Sequence, residues 1–272
     1  MGNKILLTGG AGYIGSHTYV ALIEAGFEVV ILDNFSNSNP SVLIRLGQIT
    51  GQNQVICYEG SVLDKALLAQ IFTEHDISAV IHFAALKAVG ESVEQPLAYF
   101  STNVTGLLCL LEEMKSAGIT RLVFSSSATV YGEPEEVPIA ETAPLQFTSP
   151  YGFTKVASEQ ILTQAAAADP WAFGVLRYFN PAGAHPSGLI GEDPSDIRTT
   201  SCPISQRLQA VHCHISMCLG ITTTPAMAQA SAITFMSATW RAAMCYLCKN
   251  CSPPMRGIWS TSARGRPIPF WK

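Results

Sequence analysis

Two groups of residues in this 272-residue chain have the types and spacing to do chemistry. The first is Gly9-Gly10-Ala11-Gly12-Tyr13-Ile14-Gly15, a G-x-x-G-x-x-G turn that joins an apolar run to a helical stretch. Glycines so spaced let the chain turn tightly, bring backbone amides close to a pyrophosphate and seat the phosphate at a helix N-terminus. Asp33 closes the next apolar run eighteen residues after Gly15. A carboxylate there can accept hydrogen bonds from an adenosine ribose and repels a 2′-phosphate, so the pattern points to NAD in preference to NADP. The plainer reading, turn glycines and a capping Asp33, explains each residue singly but not the strand, turn, helix and acid in that order.

The second group is Tyr151-Gly152-Phe153-Thr154-Lys155, with Ser125-Ser126-Ser127-Ala128-Thr129 upstream at a strand end. The i, i+4 spacing puts Tyr151 and Lys155 on one helix face. A free phenol has a pKa of about 10 and is a poor base at neutral pH unless nearby positive charge favours phenolate. The expectation is that Lys155 and a nicotinamide ring supply that charge and that Ser127 shares the moving proton. A lone Y-x-x-x-K is more often a surface tyrosine beside a lysine; joined to the glycine turn and Ser127 it reads as a proton-handling set.

Alternating elements are expected to position these groups. Apolar, β-branched runs at 4–8, 28–32, 54–58, 79–83, 121–125 and 173–177 read as strands, separated by helical periodicity at 16–25, 65–74, 96–117 and 151–168. The alternation specifies an α/β fold, a doubly wound parallel sheet of Rossmann-like type that binds ligands beyond the carboxyl ends of its strands. The composition, 48% apolar and 13% charged with a net charge of −4, suits a globular core and gives no reason to expect nucleic acid or membrane as a partner. No long apolar span or signal-peptide pattern is read, so a cytoplasmic location is expected.

These residues, together with Ile81-His82-Phe83-Ala84-Ala85-Leu86-Lys87, Ser127-Ala128-Thr129-Val130-Tyr131-Gly132 and Leu176-Arg177-Tyr178-Phe179-Asn180-Pro181, resemble the extended short-chain dehydrogenase/reductase family and within it the UDP-glucose 4-epimerases. The resemblance runs over residues 3 to 197. It implies a site for NAD lined by Gly9, Gly12, Tyr13, Ile14, Gly15, Asp33, Asn34, Lys87, Asn103 and Tyr178. It also implies catalytic Ser127, Tyr151 and Lys155, with Phe179 and Asn180 beside a sugar nucleotide. The implied reaction interconverts UDP-glucose and UDP-galactose through a 4-keto sugar, and the implied assembly is a homodimer. Ser127-Ala128-Thr129 stands where related dehydratases have Thr-Asp-Glu, which favours epimerase. Ser61 stands where the family has an aspartate that contacts adenine.

The resemblance stops near Arg198. All twenty Asp and Glu residues precede that position and none follows, whereas six of the eight cysteines lie in the last seventy-five residues. Reading the coding bases of the tail one frame over permits three family landmarks in order. Thr199 to Ser205 permits Asn-Asn-Leu-Leu-Pro-Tyr-Ile, Met227 to Ser237 permits Asp-Gly-Thr-Gly-Val-Arg-Asp-Tyr-Ile-His-Val, and Ile258 to Gly265 permits His-Leu-Val-Asn-Leu-Gly-Ser-Gly. The expectation is a single-base loss between Ile197 and Arg198. It gives an NAD-binding domain at 1–180, the start of an incomplete C-terminal substrate domain at 181–197 and an out-of-frame tail at 198–272, poorly folded or disordered. Cys245, Cys248 and Cys251, with His212 and His214, have metal-ligand spacing, but spacing alone does not make a folded site and no metal is expected. The polypeptide is thus expected to be an epimerase by descent with impaired or absent turnover, the alternatives being a residual NAD-binding domain and a non-functional remnant.

Overall fold

In a parallel sheet covered on both faces, every strand residue meets a core, so its strands are apolar throughout. The inner strands β1 (Lys4–Thr8), β2 (Glu28–Asp33), β4 (Ile77–His82), β5 (Arg121–Ser127) and β6 (Ala172–Tyr178) are apolar through their middles, whereas β3 (Ile56–Glu59), at the edge, has no fully buried residue. Leu6, Val30, Val80, Leu122 and Val175 enter one cluster with Leu68, Ile71, Leu107, Leu110, Met114 and Leu162. Their strand neighbours Ile5, Leu7, Val29, Ile31, Ile81, Val123 and Leu176 enter the other with Tyr19, Leu22 and Leu46. The helices α1 (Tyr13–Glu24) and α2 (Ser41–Thr50) therefore lie on one face, and α3 (Lys65–Glu74), α6 (Gly106–Ser116) and α7 (Pro150–Ala168) on the other. Fully buried side chains such as Leu6 and Leu7 each contribute about 1.5–3 kcal/mol.

A computed structural model describes residues 3–134, 139–181 and 183–193, and the backbone of 257–260. The sheet has the order β3-β2-β1-β4-β5-β6-β7, every neighbouring pair parallel, with β7 being Gly257–Ser260. The strand order reverses between β1 and β4, and the glycine turn follows the carboxyl end of β1 as Ser127 closes β5 on the same edge of the sheet. The six expected strands are present. Of 198–272 only the backbone of β7 is described, and it pairs with β6 at Gly174↔Gly257 through Arg177↔Ser260. The remainder of 198–272, with Cys245, Cys248, Cys251, His212 and His214, lies outside the described residues.

Local signals set the helix ends that matter for the site. Ser149 caps α7 by accepting from the Gly152 amide at 3.1 Å, and Pro150 takes the first helical position, so Tyr151 has a fixed place in the first turn. α3 starts behind Asp64, whose carboxylate accepts from the Leu67 amide. The expected helix over 96–117 is broken up in the structure: α5 (Pro96–Tyr99) passes through a π-helical turn, Phe100–Thr105, into α6. Periodicity reports apolar spacing but not whether a bond runs to the fourth or the fifth residue, so that turn is invisible in the sequence. α2 and α4 (Val89–Glu94) are likewise additions, each with a single buried side chain marking its inner face. Among the described residues no helix is long and apolar enough to cross a membrane.

Candidate active site

The glycine turn is built by what its residues lack. Gly9 has φ +70°, and a Cβ there would lie 2.7 Å from the Ala84 nitrogen. A Cβ on Gly15 would lie 2.2 Å from the Gly9 carbonyl oxygen. Both positions exclude any side chain because the opposing atoms are backbone. Gly12 differs, since its Cβ would meet only the Gly9 oxygen, at 3.4 Å. It is the N-cap of α1, contributes no side-chain cap, and no acid occupies the first turn. The helix start is thus bare and electropositive, a site suited to a phosphate.

Asp33 braces the turn from the end of β2. One carboxylate oxygen accepts from the Ala11 amide at 2.9 Å, and the other from the Phe35 amide at 2.9 Å and the Ser38 hydroxyl at 3.3 Å. A carboxylate has about four lone-pair sites, so capacity remains for a ribose hydroxyl. Asn34 is exposed beside it and accepts from the Ser36 amide. The Gly60 amide donates to the Asp33 carbonyl, and the Ser61 hydroxyl accepts from the Leu63 amide. The serine therefore holds the β3 turn but places no charge there. These residues fit the diphosphate and ribose of a dinucleotide.

The other residues expected at the cofactor site make contacts within the protein. Tyr13 donates its hydroxyl to the Gly183 carbonyl at 2.7 Å and ties α1 to the segment after β6. Ile14 packs into the apolar cluster on the α1 face. Lys87 is half exposed and 4.0 Å from Glu192, a surface pair worth little energetically. Asn103 sits in the π-helical turn, 3% exposed. It accepts from the Leu86 amide at 2.8 Å and donates to the Leu86 carbonyl and the Thr154 hydroxyl at 3.0 and 3.1 Å. Thr154 donates in turn to the Tyr151 carbonyl at 2.7 Å. Asn103 thus clamps the loop after β4 to the start of α7, with both amide hydrogens spent inside the protein. Tyr178 lies beside Ser127 across the β5–β6 ladder, and burial pushes its phenol well up.

The second group assembles where β5 ends against α7. Tyr151 is 9% exposed and faces the Ser127 hydroxyl, which draws its phenol down. Ser127 also accepts from the Thr129 amide at 3.2 Å, which fixes its rotamer. Lys155 is 3% exposed, donates to the Ser125 carbonyl at 2.8 Å and lies 4.9 Å from the centroid of the Phe124 ring. Burial pulls its ammonium down to about 8, with Glu159 opposing the fall.

The expected lowering of the Tyr151 phenol by Lys155 is corrected by this geometry. The ammonium lies 5.7 Å from the centre of the tyrosine ring and is bonded to Ser125. Burial raises the phenol, and the Ser127 hydroxyl is what pulls it back. Phe179 and Asn180 follow β6 on the exposed rim of this end of the sheet.

Three groups escaped the sequence reading. His82 closes β4, its Nδ1 2.7 Å from the Thr8 hydroxyl at the end of β1, and burial with the neighbouring Lys155 charge holds it down to about 3. It is therefore neutral at physiological pH and adds no second positive charge beside Lys155. Glu159 and Arg177 form a bidentate ion pair beneath the site, 6% and 3% exposed. The available signal was a third polar residue, Glu159, at i+8 from Tyr151 on a helix face otherwise buried. Among the described residues no cluster of three metal-ligating side chains occurs.

Comparison with known proteins adds to this geometry. Residues 5–200 match the model of the NAD dependent epimerase/dehydratase family. The chain is 58% identical over 205 residues to UDP-glucose 4-epimerase of Pasteurella multocida (strain Pm70), an alignment covering 74% of this chain and 60% of that protein. It is similar in structure to UDP-glucose 4-epimerase of Stenotrophomonas maltophila with bound NAD and formylated UDP-arabinopyranose. There the TM-score is 0.73 at 47% identity, over 75% of this chain and 61% of that one. A second solved structure, the Bifidobacterium longum enzyme in complex with NAD+ and UDP, gives a TM-score of 0.82 at 37% identity over 97% and 79%. The chain spans about 60% of the length of the curated relatives it matches.

Proposed function

Because the chain belongs to the NAD dependent epimerase/dehydratase family, we propose that its described residues form an NAD site joined to a sugar-nucleotide epimerisation centre of the UDP-glucose/UDP-galactose type. The observation that carries the reading is the pair of buried side chains Tyr151 and Lys155 on one face of α7 against the end of β5, Tyr151 facing Ser127 and Lys155 donating to the Ser125 carbonyl. Gly9, Gly12, Gly15 and Asp33 would hold the diphosphate and adenosine ribose, with Asn34 and Lys87 at the rim. Tyr13, Ile14, Asn103 and Tyr178 would brace that site. Bound NAD supplies a reversible hydride acceptor, which allows a sugar hydroxyl to be oxidised and reduced again without net redox change.

The chain's own part is proton handling. Tyr151 takes the proton of the sugar 4-hydroxyl and returns it, and Ser127 holds the phenolic oxygen in line for both transfers. A phenol whose pKa is raised stays protonated at rest and cannot take a proton, so positive charge must gather at the phenolic oxygen when the ligands bind and release its own proton first. Lys155, mostly protonated below about pH 8, adds a standing positive field from behind the ring. Phe179 and Asn180 would border the sugar nucleotide.

The assembly we propose is a homodimer through the helices that carry the site. Val93, Leu97, Leu108 and Phe153 are 63%, 78%, 40% and 39% exposed along α4 to α7, an apolar surface that a second copy would cover. The compartment is the cytoplasm, and the domain limits are 1–180 for cofactor binding and 181–197 for the start of the substrate part.

A second reading, cofactor binding without turnover, is favoured by where similarity ends. The family match stops at residue 200, and relatives align over about three quarters of this chain. Groups that grip the nucleotide end of a substrate orient the sugar for reaction, so their loss lowers turnover as well as affinity. UDP-galactose conversion by purified chain of confirmed 29.2 kDa mass, with bound NAD quantified in the same sample, separates the readings. Turnover abolished by Tyr151→Phe supports the epimerase; NAD bound without turnover supports the second; neither defeats both.

A further inference from the structure

β5 ends in three consecutive serines, and α7 carries Tyr151, Lys155 and Glu159 at i, i+4 and i+8. Each serine meets one of them. The Ser127 hydroxyl faces the Tyr151 phenol, the Ser125 carbonyl accepts from Lys155 at 2.8 Å, and the Ser126 hydroxyl donates to Glu159. The third rung continues sideways. Glu159 accepts from Arg177 Nε at 3.0 Å and Nη2 at 2.6 Å, and Arg177 Nη1 donates to the Tyr131 hydroxyl at 2.9 Å and the Glu141 carbonyl at 3.2 Å. One ion pair therefore joins α7 to β5, to β6 and to the segment after β5.

A buried ion pair is a poor source of stability, because desolvating two charges offsets most of their attraction and an apolar pair of similar size often serves as well. What it does supply is direction: a guanidinium fork and a carboxylate meet in one relative orientation. We propose that Glu159 and Arg177 are positioning residues whose ion pair sets the register of α7 on β5, so that Tyr151 meets Ser127 and Lys155 meets Ser125, and whose carboxylate stations a negative charge one helical turn from Lys155. The proposal rests on the reading of Tyr151, Lys155 and Ser127 as the proton-handling set.

Among the described residues the groups facing Lys155 are few. Tyr151 and Glu159 face it from α7 and His82 from β4, with the Phe124 ring on β5 and Arg177 on β6 beyond Glu159. His82 is neutral and the Tyr151 phenol is raised, so Glu159 is the charge that favours protonated Lys155.

The test titrates Lys155 in the full 272-residue chain by NMR of ε-13C-labelled lysine, the signal assigned by its loss in Lys155→Met. Glu159→Gln keeps the shape and removes the charge, and the Lys155 midpoint is expected to move down from about 8. A folded Glu159→Gln variant with an unmoved midpoint overturns the proposal. If that variant does not fold, Glu159→Met combined with Arg177→Met decides: the apolar pair is expected to fold and to show the same downward shift. A pair that fails to fold overturns the proposal too, because the ion pair would then hold the fold and not the site. The readout needs no turnover, so an inactive chain would defeat the epimerase reading and leave this answer intact.

Discussion

The two ends of the site are built on opposite principles. At the glycine turn, side chains are absent where ligand or backbone must come close, and the whole device is encoded between Gly9 and Asp33. At the end of β5, four ionisable side chains are packed together out of water, drawn from residues between 151 and 177 and docked on the Ser125–Ser127 strand end. The first end should therefore fail by collision and the second by charge, which makes the two separable by experiment.

The largest effect is expected from Lys155→Met, measured as stability against pH. Burial lowers the folded-state value from 10.5 to about 8. Between those limits the unfolded chain binds the proton and the folded one does not, so wild-type stability rises with pH across that window. Relative to the variant the gain should approach ~3 kcal/mol from pH 7.5 to 10.5. Parallel pH profiles for the two proteins in urea unfolding would remove charge from the account of this end.

Gly15→Ala should come next, at about 1–3 kcal/mol of destabilisation with loss of NAD binding, because the added carbon meets backbone that cannot rotate away. Its effect should not vary with pH between 7.5 and 10.5. A pH-dependent penalty would erase the contrast between the two ends.

Asp33→Asn is expected to cost about 1.5 kcal/mol, since an amide nitrogen cannot accept from the Ala11 or Phe35 amides. It should also raise the affinity for NADP relative to NAD. An unchanged NADP to NAD ratio in calorimetry would leave Asp33 only its structural role.

The smallest folding effect, within about 0.5 kcal/mol, is expected of Gly12→Ala, whose new carbon meets little protein. NAD affinity should nevertheless fall in this variant. Equal losses of stability at Gly12 and Gly15 would show that neither position is reserved for a ligand.

The same contrast explains what could be read from the sequence. The glycine turn and Asp33 were legible because their geometry is local and glycine has few other reasons to recur so closely. Tyr151 and Lys155 were legible as a pair on one helix face. Their electrostatics were not, because whether Lys155 lowers the phenol depends on which acceptor takes its ammonium, and that acceptor is a backbone carbonyl thirty residues away. Arg177 was visible only as part of a strand, since its partner Glu159 lies on another element. The π-helical turn that carries Asn103 differs from α-helix only in that its bonds run to the fifth residue instead of the fourth, and it leaves no mark on apolar spacing.

The strand order bears on how the chain is made. β1 is synthesised first yet lies between β2 and β4, so one of its edges waits unpaired until residue 82 has left the ribosome. Growth then proceeds outward in one direction through β5 and β6, each new strand covering the edge exposed by the last. β6 must wait longest, because the strand that covers it begins at Gly257. During that interval the newest edge of the sheet is a template for wrong partners, and chaperone dependence in the cell should track the delay between residues 178 and 257 more closely than the stability of the sheet already formed.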